Sequence, residues 1–203
     1  MIATFVDYGA GNLRSLRAAF ERAGAEVAVS DDEAVVASAG FVVIPGVGQA
    51  ANAMEALRER GLVDAILGAL RNGAHLFGVC VGMQLLFSRS AEGETAGLGL
   101  LPGSATLLAG ARRLPHMGWN DVEPGAPHPL TAAFPAPCYF AHSYAVQDAA
   151  PQCVLASTPV EQGGFASLVG QGRVAGAQFH PERSGAAGAA FLRSVMQWAG
   201  DAA

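Results

Sequence analysis

"AHLFGVCVGMQLLF", residues 74–87, decides the fold of this chain. The run before the cysteine is apolar and of strand length, while Val81, Leu85 and Leu86 beyond it have helical spacing. The stretch therefore reads as a buried strand, a sharp bend and the start of a helix. The bend is Gly78-Val79-Cys80-Val81-Gly82, the form of a nucleophile elbow with cysteine in place of serine. Side chains two residues to either side of the nucleophile would crowd such a turn, and glycine removes them. A sulfur there meets unpaired N–H groups and the positive end of a helix dipole, a setting that suits a nucleophile. The N–H of Val81 is placed to stabilise an oxyanion. A buried structural cysteine between two glycines has the same local sequence.

Working outward, "IATFVD" (2–7) is a second apolar strand, followed by a helix with Leu13, Leu16 and Phe20 on one face, Asn12 as N-cap and Gly24 as its stop. "EVAVS" and "FVVI" (41–44) are strands, and "NAMEALRERGLVDAILGALRNG" is a helical stretch leading into residue 74. Strands alternating with helices give a parallel sheet covered on both faces. From about residue 103 the pattern becomes short β-like runs between Gly and Pro ("SATLLAG", "NDVEPG", "CYFAHSYAV", "GFASLVG", "GRVAGAQF"), which predicts antiparallel hairpins. "GAAFLRSVMQWA" closes the chain as a helix. The expected architecture is α/β: an open, mixed, mainly parallel sheet flanked by helices, with antiparallel hairpins in the C-terminal half. With no repeat or linker, residues 1–203 are expected to form one domain.

The composition agrees. The chain has 203 residues, 51% hydrophobic and only 14% charged, enough for one well-buried core. A net charge of −5 offers no electrostatic attraction for nucleic acid. "MIATFVDYGA" lacks the basic and apolar regions of a secretory leader, and no apolar stretch reaches the roughly 18 residues of a membrane span. Three cysteines without a C-x-x-C pattern predict neither a disulfide framework nor a zinc site, so a reducing cytoplasm is expected, with Cys138 and Cys153 as packing residues. His75, His116 and His128 share no metal-ligand spacing, and no metal or cofactor is expected.

A thiol nucleophile needs a base, and the base needs orienting. In "AGAQFHPERSG", His180 and Glu182 flank Pro181 directly after an apolar run. Proline biases His180 toward extended geometry, and residues two apart on an extended chain point the same way, so the carboxylate can hold the imidazole while its other nitrogen faces the thiol. A strand-end histidine beside a solvated glutamate reads the same. "PGVG" (45–48) closes the strand "FVVI" and would approach the elbow if both strands end on one carboxyl edge, where its N–H groups could complete an oxyanion hole. Taken together, the residues point to a cysteine-nucleophile acyl-transfer enzyme built on Cys80, His180 and Glu182.

With "PGVG", "GVCVGMQLLF" and "QFHPE" in view, the chain resembles the class I (triad) glutamine amidotransferases, whose sheet is flavodoxin-like. "DYGAGNLRSL" (7–16), "PHMGWN" (115–120) and "YFAHSY" (139–144) narrow the resemblance to the glutaminase subunits of imidazole glycerol phosphate synthase, essentially end to end. The departures are Val81, where leucine is usual, and Arg183, where "HPEKSG" carries lysine; arginine keeps the charge but not the geometry. The resemblance implies hydrolysis of glutamine to glutamate and ammonia, with Cys80, His180 and Glu182 as the triad. It implies Val47, Gly48 and Val81 around the oxyanion, and Gln84, Glu92 and the backbone of His142, Ser143 and Tyr144 around the substrate. It further implies a (β/α)₈-barrel cyclase partner that uses the ammonia in histidine biosynthesis to make imidazole glycerol phosphate and AICAR. Met117 and Trp119, beside an expected turn, suit a partner-facing patch. A sister glutaminase would keep the triad but lack "DYGAGN" and "PHMGWN"; a non-enzymatic subunit should have lost a triad member; a free-standing cysteine hydrolase would have no use for a docking patch.

Overall fold

The computed structural model describes residues 1–9, 13–125 and 127–200. Strand β1 (Ile2–Val6) leads to helix α1 (Leu13–Arg22), which buries Leu16, Ala19 and Phe20; the expected cap, Asn12, lies outside the described residues. Gly24 follows the helix at φ +97°, and the chain enters β2 (Glu26–Ser30). A helix of only five residues, α2 (Glu33–Ala37), escapes a reading by periodicity, yet it has a clear start signal. The Asp32 side chain accepts from the N–H groups of Ala34 and Val35 at 2.8 and 3.2 Å.

After β3 (Phe41–Ile44), the single helical stretch expected up to residue 73 is two helices, α3 (Ala50–Glu59) and α4 (Leu62–Arg71). Gly61 separates them at φ +66°, a conformation glycine adopts freely and a helix interior does not allow. Strand β4 (His75–Val79) then runs into α5 (Val81–Gln84), a single turn shorter than the spacing of Leu85 and Leu86 suggests. The reason is competition for carbonyls: Leu85 O accepts from Leu98 N at 2.7 Å, and Leu86 O from Leu100 N and Leu101 N at 2.8 and 3.0 Å.

The remaining strands are β5 (Phe87–Ser90), β6 (Thr95–Ala96), β7 (Leu101–Leu107), β8 (His116–Pro124), β9 (Ala136–His142), β10 (Tyr144–Val146), β11 (Val154–Pro159), β12 (Gly164–Gln171) and β13 (Val174–Ala177), before helix α6 (Gly185–Gly200). Two sequence expectations are corrected here. "CYFAHSYAV" breaks at Ser143 into two strands of different sheets, and "PHMGWN" is the start of strand β8 rather than the neighbour of a turn.

The main sheet has nine strands in the order β2-β1-β3-β4-β13-β12-β11-β8-β9; the first five are mutually parallel and the rest antiparallel. A smaller sheet, β10-β7-β5-β6, packs beside it. Right-handed crossovers put α1 on one face of the parallel half, where it meets α6, and α2, α3 and α4 on the other. In the core, Phe134, Phe140, Phe179 and Phe191 stack with centroids 5.0–6.0 Å apart. Among the described residues, no helix is long and apolar enough to cross a membrane.

Candidate active site

Three neighbouring strands deliver the chemistry to one edge. In the parallel register Ile44 pairs with Gly78 and Ala177 with Val79, so β3, β4 and β13 end level with one another. The residues that follow them are Pro45–Gly48, Cys80 and Gln178–Glu182, the three segments singled out in the sequence. The carboxyl edge of a parallel sheet is where such sites gather, because every strand there turns away from its neighbours. Phe179, fully buried against Phe134, Phe140 and Phe191, pins the last segment to the core.

The bend itself is strained and tightly wedged. Cys80 has φ 54° and ψ −111°, a region a non-glycine residue enters only when its surroundings force it. Its N–H continues the ladder to Ala177 O at 2.7 Å, and its carbonyl accepts from Met83 and Gln84 at 3.0 and 3.1 Å. The glycines interlock around it. A Cβ on Gly78 would meet Gly82 O at 2.4 Å, one on Gly82 would meet Ile44 O at 2.1 Å, and one on Gly46 would meet Gly82 N at 2.1 Å. Gly82 thus does more than relieve a turn: with Gly46 it lets the PGVG segment lie directly on the elbow.

His180 Nδ1 and Glu182 Oε1 are 3.0 Å apart, with side-chain exposures of 8% and 2%, and the imidazole lines the same cavity as Cys80. Burial opposes a charge on His180, but the neighbouring Cys80 and Glu182 outweigh it and push the imidazole up to about 10. Cys138, pushed up to about 11, and Cys153, also raised, are held as thiols by burial.

A cavity of about 510 Å³ opens over Cys80 and is lined by all the remaining candidates except Glu182, which sits behind the imidazole. Glu92 is reached through β5, and its Oε2 accepts from Ala50 N at 2.9 Å, so the carboxylate is anchored at the start of α3 rather than solvated. Gln84 is buried, and its Nε2 donates to Tyr144 O at 2.8 Å. Of the three residues expected to offer backbone, Ser143 O is bonded by Leu108 N at 2.9 Å, and Tyr144 O is taken by Gln84 and by His142 Nδ1 at 2.9 Å. Arg183 also lines the cavity and lies 4.3 Å over the Tyr139 ring. Next to it, Met117 and Trp119 are 63% and 58% exposed on β8.

Three contributors were not singled out from the sequence, although each lies within or directly beside a quoted motif. Tyr8, in "DYGAGN", donates to Pro45 O at 2.5 Å, and burial raises its phenol so that it keeps the proton; it fastens the PGVG segment. Ser184 Oγ donates to His180 O at 2.7 Å and accepts from Tyr139 N at 2.9 Å, clamping the HPE turn to β9. Gln178, in "QFHPE", touches the sulfur. Among the described residues, no group of three His, Cys, Asp or Glu side chains is arranged to hold a metal ion.

The family model for glutamine amidotransferase class-I matches residues 4–197. The imidazole glycerol phosphate synthase subunit HisH of Symbiobacterium thermophilum is 46% identical over 196 residues, covering 95% of this chain and 91% of that protein. The HisH subunit of Mycolicibacterium paratuberculosis is 46% identical over 198 residues, covering 95% of each. A crystal structure of a glutamine amidotransferase shares the fold at a TM-score of 0.79 with 22% identity, covering 97% of this chain and 98% of that one. The chain belongs to the class-I glutamine amidotransferase family and, within it, to the imidazole glycerol phosphate synthase HisH subunits.

Proposed function

We propose that residues 1–203 act as one glutaminase domain that hydrolyses glutamine with Cys80, His180 and Glu182 and passes the ammonia to a (β/α)₈-barrel cyclase making imidazole glycerol phosphate and AICAR in histidine biosynthesis. The observation that carries this reading is the buried imidazole held by a carboxylate at 3.0 Å and set on one cavity with the cysteine of the strained elbow. The sulfur of Cys80 attacks the carboxamide carbon, forming the C–S bond. The N–H groups of Val81 and of the Val47–Gly48 segment take the charge on the tetrahedral oxygen. His180 gives its proton to the departing nitrogen, the C–N bond breaks, and ammonia leaves a glutamyl thioester. The now neutral imidazole takes a proton from water, hydroxide attacks the thioester, and glutamate departs as the C–S bond breaks.

Glu92, anchored yet facing the cavity, takes the substrate α-ammonium, while Gln84 and the His142–Tyr144 backbone shape the rest of the pocket. Exposed Met117 and Trp119 beside Arg183 suit a protein partner over the mouth, which keeps ammonia from protonating in bulk water. Gly48, at φ +87°, gives the PGVG peptide the freedom to present or withdraw its N–H, so that glutamine turns over only when the cyclase is loaded. Three unpaired cysteines support a reducing cytoplasm as the compartment.

The test is glutamate release by this chain alone, with its cognate cyclase, and with both plus the cyclase ligand. Strong stimulation in the third mixture, abolished by Cys80→Ala, is expected. High activity of the chain alone would favour a free-standing hydrolase.

A further inference from the structure

The triad does not account for one contact of the Cys80 sulfur. Gln178 is fully buried between β13 and His180, and its Nε2 donates to Cys80 Sγ at 3.6 Å, a length set by the size of sulfur. A hydrogen-bond donor at that distance stabilises a charged sulfur more than a neutral one. Which end of the amide faces the sulfur is fixed by what lies behind it.

The assignment starts from a backbone carbonyl, which can only accept. Tyr144 O meets Gln84 Nε2 at 2.8 Å and His142 Nδ1 at 2.9 Å, so both nitrogens donate to it. The Gln84 NH₂ group, oriented in this way, also donates to Gln178 Oε1 at 3.0 Å, leaving the Gln178 NH₂ group for Cys80. On the other branch, burial and the neighbouring His116 hold His142 near 3, so it is neutral and its Nε2 can only accept. His116 Nδ1, 3.1 Å away, must donate to it. His116 is neutral too, its value lowered by burial, so its Nε2 accepts from Asn120 Nδ2 at 3.2 Å. The same NH₂ group donates to Pro159 O at 2.9 Å. The two branches meet at Tyr144 O, which accepts from both, and reversing any amide or imidazole among them sets two donors or two acceptors face to face.

The far end of the chain sits on β8. His116 and Asn120 point to its inner side, and Met117 and Trp119 alternate with them on the outer, exposed side. We infer that Gln178 is a further residue of the glutamine reaction, holding the Cys80 sulfur by an amide hydrogen bond, that Gln84 on Tyr144 O sets its aim, and that the Asn120–His116–His142 branch from strand β8 holds that carbonyl in place. A partner that shifts β8 would therefore bear on the nucleophile through the position of Tyr144 O, separately from the PGVG segment. The inference rests on Cys80 as the nucleophile.

The experiment compares the parent, Gln178→Met, His116→Phe and the double variant, each bound to the cognate cyclase. It reads kcat and KM for glutamate release, and the rate at which iodoacetamide alkylates the Cys80 peptide. Gln178→Met is expected to lower kcat about tenfold with KM within about twofold, and to slow alkylation by a similar factor. His116→Phe keeps a ring against Phe140 and Phe165 and is expected to lose about threefold in both readouts. The double variant should be no slower than Gln178→Met alone. Alkylation at the parental rate in Gln178→Met overturns the sulfur contact, and losses that multiply in the double variant overturn the chain. If Gln178→Met does not fold, Gln178→Glu keeps the acceptor for Gln84 but turns an oxygen toward the sulfur, and must slow alkylation further; a parental rate there also overturns the inference. Should neither fold, an unchanged alkylation rate in His116→Phe does so. Glutaminase activity surviving in Cys80→Ala would instead overturn the reading of the site, and alkylation distinguishes the two failures because it needs no glutamine.

Discussion

Gly82→Ala places one methyl group where the elbow meets the PGVG strand. Its Cβ would lie 2.1 Å from the Ile44 carbonyl oxygen, whereas ordinary contact begins at 3.4 Å, so the two backbones must separate by about 1.3 Å (3.4 − 2.1). No rotamer relieves this clash, since the atom met is main chain. Overpacking of this kind destabilises by about 1–3 kcal/mol, and at roughly 2–4 °C per kcal/mol for a chain of this size the larger value lowers Tm by about 6–12 °C. The catalytic loss is expected to be larger. Ile44 carries Pro45–Gly48, so its retreat draws the proposed oxyanion donors off Cys80, and a displacement of about 1 Å costs about 10²-fold in rate. Gly24→Ala is the comparison: φ is +97° but nothing lies within 4 Å of the new Cβ, so strain of about 1–2 kcal/mol lowers Tm while kcat stays at the parental value. Thermal unfolding and kcat for glutamate release, with cyclase and its ligand present, measure both. Gly82→Ala at parental kcat and Tm would refute the interlock as the device that sets the loop.

Glu182→Gln removes the charge that sits 3.0 Å from His180, worth about 1.5–3 kcal/mol as a charged hydrogen bond, so kcat is expected to fall about 10- to 150-fold with KM little changed in steady-state kinetics. Tyr8→Phe leaves the buried Pro45 carbonyl without its donor, at a cost of about 1–3 kcal/mol; urea unfolding should show it, and kcat should fall more than KM rises because the PGVG segment is loosened. Stability should also depend on pH through two histidines of opposite sign. His180 is raised from 6.5 to about 10, so its contribution is complete below pH 6.5 and is lost as pH rises through about 10. His142 is lowered from 6.5 to about 3, so its contribution is complete above pH 6.5 and is lost as pH falls toward 3. Urea unfolding across pH 4 to 10 should therefore be most resistant near pH 6.5, with the acid limb shallower in His142→Asn and the alkaline limb shallower in Cys80→Ala.

The parallel half of the sheet is legible because each of its strands is a short apolar run with a turn signal behind it, and the bend at Cys80 because Gly78 and Gly82 are spaced for it. His180 and Glu182 are legible for the same local reason: two residues around a proline after a strand. What the sequence hides is what depends on pairing between distant segments. The one-turn length of α5 follows from Leu98, Leu100 and Leu101 capturing carbonyls of Leu85 and Leu86, a contact no periodicity encodes. The division of "CYFAHSYAV" at Ser143 follows from β10 joining β7 in another sheet. Tyr8 and Gln178 sit inside recognised motifs, yet their partners, Pro45 and Cys80, lie 37 and 98 residues away. Local pattern yields residue types and spacing; the hydrogen bonds that aim them come from the register of β3, β4 and β13.

The central claim is that Cys80 carries the glutamyl group. The most direct measurement is mass spectrometry on the chain bound to its cyclase and ligand, mixed with glutamine and quenched in acid during turnover. The expected result is a glutamyl adduct on the peptide containing Cys80, more abundant when the water attack is slowed in Glu182→Gln and missing in Cys80→Ala. Sustained glutamate release with no adduct on Cys80, or with one on Cys138 or Cys153, would contradict the account.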